Sequence, residues 1–136
     1  MVALAKDRDT QTRDGARRTP GVAANAVIFA GAITVRNAAG FAAPASTALG
    51  LHALGIAQDH VDNTGGPNGG ESVVVDAGTF HVANSAGADE ITAADIGNVC
   101  FLVDDQTVAK TDGAGTRSAA GSVFDVDAKG VWVQFK

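Results

Sequence analysis

The sequence predicts an all-β fold, a small β-barrel or sandwich carrying an extended N-terminal arm. Three observations carry that expectation. Apolar residues come in short bursts cut by Gly, Asn and Asp, clearest in ESVVVDAGTFHVAN (Glu71 to Asn84), NVCFLVDDQTVAK (Asn98 to Lys110) and SVFDVDAKGVWVQFK (Ser122 to Lys136). Each reads as strand, turn, strand. No helical run is long enough to serve as the crossover that a parallel sheet needs. Ahead of the bursts runs ALAKDRDTQTRDGARRTP, polar and mostly basic, with no apolar face to bury. The domain plan is an arm over residues 1–20 and a β domain over 21–136.

The elements follow in order. The arm shows neither a helical nor a strand period, and Thr19-Pro20-Gly21 closes it: the residue before proline is held extended and Gly permits a turn. It is read as a segment ordered by contact with a neighbour, with a frayed terminus as the alternative. AVIFAGAITV reads as two buried strands bent near Gly31, its β-branched residues and Gly weighing against a helix. RNAAGFAAPAST is rich in turn formers and is placed on the surface. In LGLHALGIAQDHV (Leu49 to Val61) Gly50 and Gly55 point to bent strands.

DNTGGPNGGE (Asp62 to Glu71) is the strongest loop signal, with no means of burial and a mobile tip expected. SVVV enters a strand, DAG turns, and TFHVAN alternates Phe80 and Val82 with His81 and Ala83. Thr92 followed by Asp95 has the spacing of a capping box, and Gly97 stops that helix after one turn. NVCFLV is a strand, DDQ turns it into TVAK, and TDGAGTRSAAG is an exposed loop. The last pair turns between Asp127 and Gly130; Val131, Val133 and Phe135 face one way, Trp132 and Gln134 the other. The tally is seven to nine short strands, with the terminal strand paired to an internal one.

Size and charge narrow the function. At 136 residues the chain holds one domain with a core sufficient without metals or disulfides. Aromatics are 5% with no Tyr, so the core is built from Val, Ile, Leu, Ala and a few Phe. Small side chains bury little area each, and assembly with further copies would add burial. Residues 1–20 carry five basic and three acidic groups, net +2; the remainder carries five basic and twelve acidic, net −7. An acidic body repels nucleic acid and anionic membrane, so an acidic protein surface is the expected target of the arm. MVALAKDRDT meets a charge at Lys6 with no apolar core of seven residues, so no secretory signal is read there. The apolar stretch from Ala26 to Ile33 is far short of the roughly 20 residues that span a bilayer.

Catalytic and metal chemistry find little footing. His52, His60 and His81 follow no ligand spacing; Asp59 adjoins His60, and a pH-sensitive interface contact at His60 is the alternative reading. Cys100 lies between Val99 and Phe101 with no sign of a partner base, and is read as a buried small hydrophobe. Asp104-Asp105 and Asp125-x-Asp127 are read as turn chemistry at strand ends, not as a calcium loop. GGPNGGES lacks the Lys-Ser/Thr ending of a phosphate cradle. The expectation is no catalytic residue, no metal and no cofactor. Trp132 is the most informative side chain: out of phase with Val131 and Val133, it is either a rim anchor against a neighbouring subunit or the plug of one barrel end. The candidate interface residues are Arg13, Arg17, Arg18 and Trp132.

From Leu54 onward the phrases LGIAQDHVDN, ESVVVDAGTFHVANS, ITAADIGNVCFLVDDQTVAKT and AGSVFDVDAKGVWVQF resemble the small capsid decoration, or cement, proteins of tailed bacteriophages. The family's strand and turn punctuation falls at Gly55-Ile56-Ala57, Val73 to Phe80, Asp95 to Asp105 and Gly121 to Val133, with Phe101 where Tyr is common. The likeness covers about 80 residues, and its motifs are strand punctuation rather than chemistry. It implies a non-enzymatic virion protein, made in the host cytoplasm and seated on the outer capsid surface. There it would act as a homotrimer that staples adjoining capsomers through the major capsid protein, with no direct contact to nucleic acid or membrane. A tail or head-fibre module, and a carbohydrate-binding β module with an exposed aromatic cluster, are the alternatives.

Overall fold

The computed structural model describes residues 2–11, 13 and 15–136; Met1, Thr12 and Asp14, all within the expected arm, lie outside them. The fold is all-β, built on a closed five-stranded barrel with further sheets against it. Twelve strands form among the described residues: β1 (Arg17–Arg18), β2 (Val27–Ile28), β3 (Ile33–Arg36), β4 (Ala42–Pro44), β5 (His52–Ala57), β6 (Val61–Asp62), β7 (Val75–Asp76), β8 (Gly78–Asn84), β9 (Val99–Leu102), β10 (Thr107–Ala109), β11 (Ala119–Asp127) and β12 (Gly130–Phe135). The count exceeds the expected seven to nine because four of them are only two residues long. A two-residue strand leaves no alternation to read.

The barrel runs β10-β8-β12-β11-β9 and closes on itself through a parallel pair, Thr107 opposite Ala83 and Val108 opposite Asn84. The terminal strand β12 lies between β8 and β11, so it is paired on both edges as expected. A second sheet runs β1-β7-β5-β3-β4, and β2 and β6 form a separate ribbon. The DAG turn at Asp76 to Gly78 does not fold β7 back onto β8. It carries the chain from the open sheet into the barrel.

Two apolar clusters lie on either side of the open sheet. Val131, Val133 and Phe135 fill the barrel with Val108, Leu102, Cys100 and Val123, and Ile33, Val35 and Ile56 of the open sheet pack against them. Val22, Ile28, Leu54, Val61, Val73 and Val75 form the second cluster. The open sheet is therefore a middle layer buried on both faces, which explains why Ile33, Thr34 and Val35 are all fully covered. Gly55 is required where β5 meets β7: its φ is +143° and a Cβ there would lie 2.1 Å from the Asp76 carbonyl oxygen.

Three sequence expectations need correction. The DNTGGPNGGE loop does have a means of burial, because Asn63 is almost fully covered and its Nδ2 donates to the carbonyls of Val22, Ala23 and Pro67 at 3.3, 3.0 and 2.9 Å. RNAAGFAAPAST contributes β4, with Ala42 and Ala45 buried. In TDGAGTRSAAG, Ser118 is buried, donating to the Ala48 carbonyl at 2.7 Å and accepting from the Leu51 amide. The capping box is present as read: the Thr92 amide donates to Asp95 Oδ2 at 2.8 Å ahead of a 3-10 turn over Ala93–Asp95.

Candidate interaction surface

The N-terminal segment divides at Gly15. Residues 2–11, 13 and 15 are all exposed, and no hydrogen bond or ion pair ties Lys6, Arg8 or Arg13 to another described side chain. From Ala16 onward the chain joins the open sheet. The Ala16 carbonyl accepts from the Ala77 amide at 2.7 Å, and β1 lies antiparallel to β7 with Arg17 opposite Asp76 and Arg18 opposite Val75. Pro20 then accepts from the Val73 amide at 3.1 Å.

The arginines named from sequence differ accordingly. Arg17 Nε and Nη2 donate to Asp76 Oδ1 and Oδ2 at 2.7 and 2.9 Å, a two-bond fork within the chain. That bonding holds the Asp76 carboxyl below its ordinary value. Arg18, its neighbour, is exposed on β1 and makes no ion pair among the described residues. Arg13 is exposed on the leading segment.

Trp132 stands on the outer wall of the barrel, 38% exposed, not in its bore, which Val131, Val133 and Phe135 occupy. Strand alternation dictates this outcome. Its register partners are His81 on β8 and Asp125 on β11. The indole is fixed at two points: Nε1 donates to Asp127 Oδ2 at 3.3 Å, and the His81 ring meets it edge-on at 5.0 Å between centroids. Asp127 also accepts from the amides of Lys129 and Gly130 at 2.8 and 2.9 Å and faces His81 Nε2 at 3.2 Å. The Lys129 amide does most to lower its pKa, and the His81 ring adds to that.

Phe124, which the sequence offers only as one of several rings that could form an exposed cluster, joins Trp132 on this face. β11 bulges between Val123 and Asp125, and the extra residue, Phe124, is turned outward to 62% exposure. The signal was present: Val123 and Val126 are inward-type residues three apart, a spacing that a regular strand cannot place on one face. Phe124, Trp132, Thr79 and Asp125 line a shallow cleft of about 330 Å³. Val99, half exposed, continues the face across Ser122 on β11. The result is an aromatic patch with one carboxylate, Asp125, that carries no ion pair among the described residues.

The remaining polar candidates are scattered. His60 packs on Phe29 with ring centroids 5.1 Å apart, and His52 is exposed on β5. Asp104 accepts from the Gln106 amide at 2.9 Å, the turn chemistry read from sequence. Cys100 is fully buried in the barrel, and burial pushes its thiol up to about 11. Among the described residues no three His, Cys, Asp or Glu side chains gather in a metal-holding group. Among the described residues the molecule offers a partner an exposed leader carrying Lys6, Arg8 and Arg13, and an aromatic barrel wall. Set against protein-family models, curated proteins and solved structures, the chain matches none.

Proposed function

We propose that this chain is a structural virion protein that binds the outer surface of a phage capsid and stabilises contacts between capsomers, acting as a homotrimer. The observation that carries the reading is the exposed leader rooted at the edge of the open sheet. A stretch that carries Lys6, Arg8 and Arg13 leaves a net acidic body through a strand, β1, whose Arg17 and Arg18 add two cations at its root and whose own pairing to β7 gives it a fixed point of departure. Such a leader crosses onto a neighbour and adds many weak contacts, and a lattice multiplies them because each linked contact acts at high effective concentration. The strand punctuation from Leu54 onward, which resembles the decoration proteins, supports the same reading.

Arg13 and Arg18 are the cations that meet carboxylates of the major capsid protein, while Arg17 holds the root of the leader through Asp76. The experiment is co-sedimentation with shells assembled from the major capsid protein of the same genome. The wild-type chain is expected to saturate the shells, and Arg13→Ala with Arg18→Ala to bind more weakly, most clearly at low salt where screening is least. Equal occupancy by the double variant at low salt removes the cationic contact from the reading, and no occupancy by the wild type removes the reading itself.

One observation favours a second reading. An exposed aromatic pair, Phe124 and Trp132, beside free hydroxyl and carboxylate groups is the feature that a carbohydrate-binding β module would present.

A further inference from the structure

We propose that the barrel face around Trp132 and Phe124 receives the leading segment, residues 2–8, of a second copy of this chain. Two halves of one interface are left uncovered on the same molecule. Val2 and Leu4 are 95% and 73% exposed, apolar side chains that no element of their own chain covers. Phe124 and Trp132 share one shallow cleft, and half-exposed Val99 stands on the neighbouring strand opposite Ser122. Lys6 and Arg8 have no carboxylate partner among the described residues, and Asp125 has no cation.

The order of chemistry along the two surfaces also matches. In an extended segment alternate side chains share one side, so Val2, Leu4, Lys6 and Arg8 fall in a row, apolar first and cationic after. On β11 the apolar Phe124 is followed by Asp125 and then Asp127. Val2 and Leu4 against Val99 and Phe124 bring Lys6 or Arg8 over the Trp132 ring and beside Asp125. There a cation gains both the ring face and the carboxylate. The indole is already held by Asp127 and His81, so little ordering is lost on docking. The segment bends at Ala5 and Lys6 in the free chain and straightens to dock.

The donor is a second copy because in its own chain the segment lies exposed, off this face. From Arg8 to Arg17 an extended chain spans roughly 30 Å, enough to cross onto a neighbour. A leader-to-barrel contact is head-to-tail, so each copy gives one segment and receives one, and a rotation that closes yields a ring. This rests on the reading of the chain as an assembling protein only in expecting several copies together. Its test needs no shell, so its failure leaves capsid binding standing.

Trp132 is the sole tryptophan, so its emission reports on this face alone. Full-length protein is followed by sedimentation velocity over a concentration series, and a synthetic peptide of residues 2–11 is then titrated in. The expected result is concentration-dependent association above 13.6 kDa that the peptide reverses while shifting Trp132 emission. Phe124→Ser and Asp125→Lys each weaken it about tenfold. Lys6→Glu with Arg8→Glu abolishes it, and adding Asp125→Lys to that pair restores part of it. A single 13.6 kDa species with no Trp132 response to the peptide overturns the proposal. So does association that the peptide and all these variants leave unchanged. A Trp132 response to oligosaccharides with none to the peptide also overturns it, in favour of a sugar-binding face.

Discussion

Arg17 and Asp76 face each other across β1 and β7, and the guanidinium closes on both oxygens of the carboxylate at 2.7 and 2.9 Å. This pair marks where the leader stops being part of the body. The guanidinium is largely solvent-exposed, so its contribution to global stability is small. Its work is local: it holds a two-residue strand at a sheet edge. Arg17→Ala is expected to leave the urea midpoint nearly unchanged while hydrogen exchange at the Ala77 amide, which donates to Ala16, becomes markedly faster. Unchanged protection at Ala77 would show that backbone pairing alone holds the root.

Acid should destabilise the protein through a defined set of carboxylates. Asp76 is held low by the Arg17 fork, Asp89 by the Thr111 hydroxyl at 2.5 Å and then by Arg117, and Asp127 chiefly by the Lys129 amide. Asp62 is lowered by the Thr64 hydroxyl. A carboxyl whose folded pKa lies below its unfolded one stabilises the fold above the unfolded value, 3.8 here, and loses that contribution as pH falls through the folded value. Urea midpoints are therefore expected to be flat from pH 6 to about 4.5 and to fall below that. Asp89→Asn, which keeps the shape but removes the charge, should flatten part of the fall. A midpoint that rises on acidification contradicts the assignment.

Much of this architecture is legible in the residues, and the unread parts share a cause. The β11–β12 hairpin, its turn at Asp127, and the inward set Val131, Val133 and Phe135 follow from a two-residue period. The Thr92–Asp95 cap follows from side-chain spacing. Barrel closure does not, because the parallel pairing of β10 with β8 joins residues that no local pattern connects. The same holds for Asn63, whose three carbonyl partners are assembled by tertiary folding around a loop that reads as solvent-facing. Of the interaction surface, the two-residue period puts Trp132 on the face opposite Val131 and Val133 but leaves open rim anchor or barrel plug, and it does not tell Arg18 from Arg17; Phe124 needed the bulge. The capture of Arg17 needed the crossing of β1 onto β7.

Cys100 gives an alkaline counterpart to the acid limb. Its thiol is raised from 9.0 to about 11 because burial in the barrel disfavours the thiolate. An acid whose folded pKa is raised stabilises the fold below the unfolded value and loses that contribution as pH climbs through the folded one. Stability is expected to decline between pH 9 and about 11, less so in Cys100→Ala. In native protein at pH 8 the thiol should react with a maleimide only as fast as the barrel opens, which a titration with and without urea will measure. Immediate labelling would place the sulfur outside the core.

Gly55 tests the joint from which the leader departs. Alanine there takes a φ of +143°, which L-residues rarely adopt, and sets a Cβ against the Asp76 carbonyl. The strain alone costs about 1–3 kcal/mol, and the clash adds to it. Because β7 pairs with β5 on one edge and β1 on the other, Gly55→Ala should also release the root strand. Both the urea midpoint and Ala77 protection are expected to fall, unlike Arg17→Ala, which moves only the second. A variant that keeps both would mean that β5 and β7 can separate without consequence.

Neighbouring residues on β12 separate folding from binding. Val133 is fully buried in the barrel, so Val133→Ala loses about 1.5–3 kcal/mol of apolar burial. Trp132 lies on the opposite face with its indole edge-on to His81, so Trp132→Ala should cost far less stability. It should nonetheless remove association between copies, because the cation then loses its ring face and Asp127 loses one of its donors. Urea denaturation and sedimentation velocity on both variants check the contrast. The expected pattern is a lowered midpoint with association retained below the transition for Val133→Ala, and the reverse for Trp132→Ala. If Trp132→Ala unfolds the chain instead, the outer wall of the barrel serves its own stability, and a partner must be sought elsewhere on the molecule.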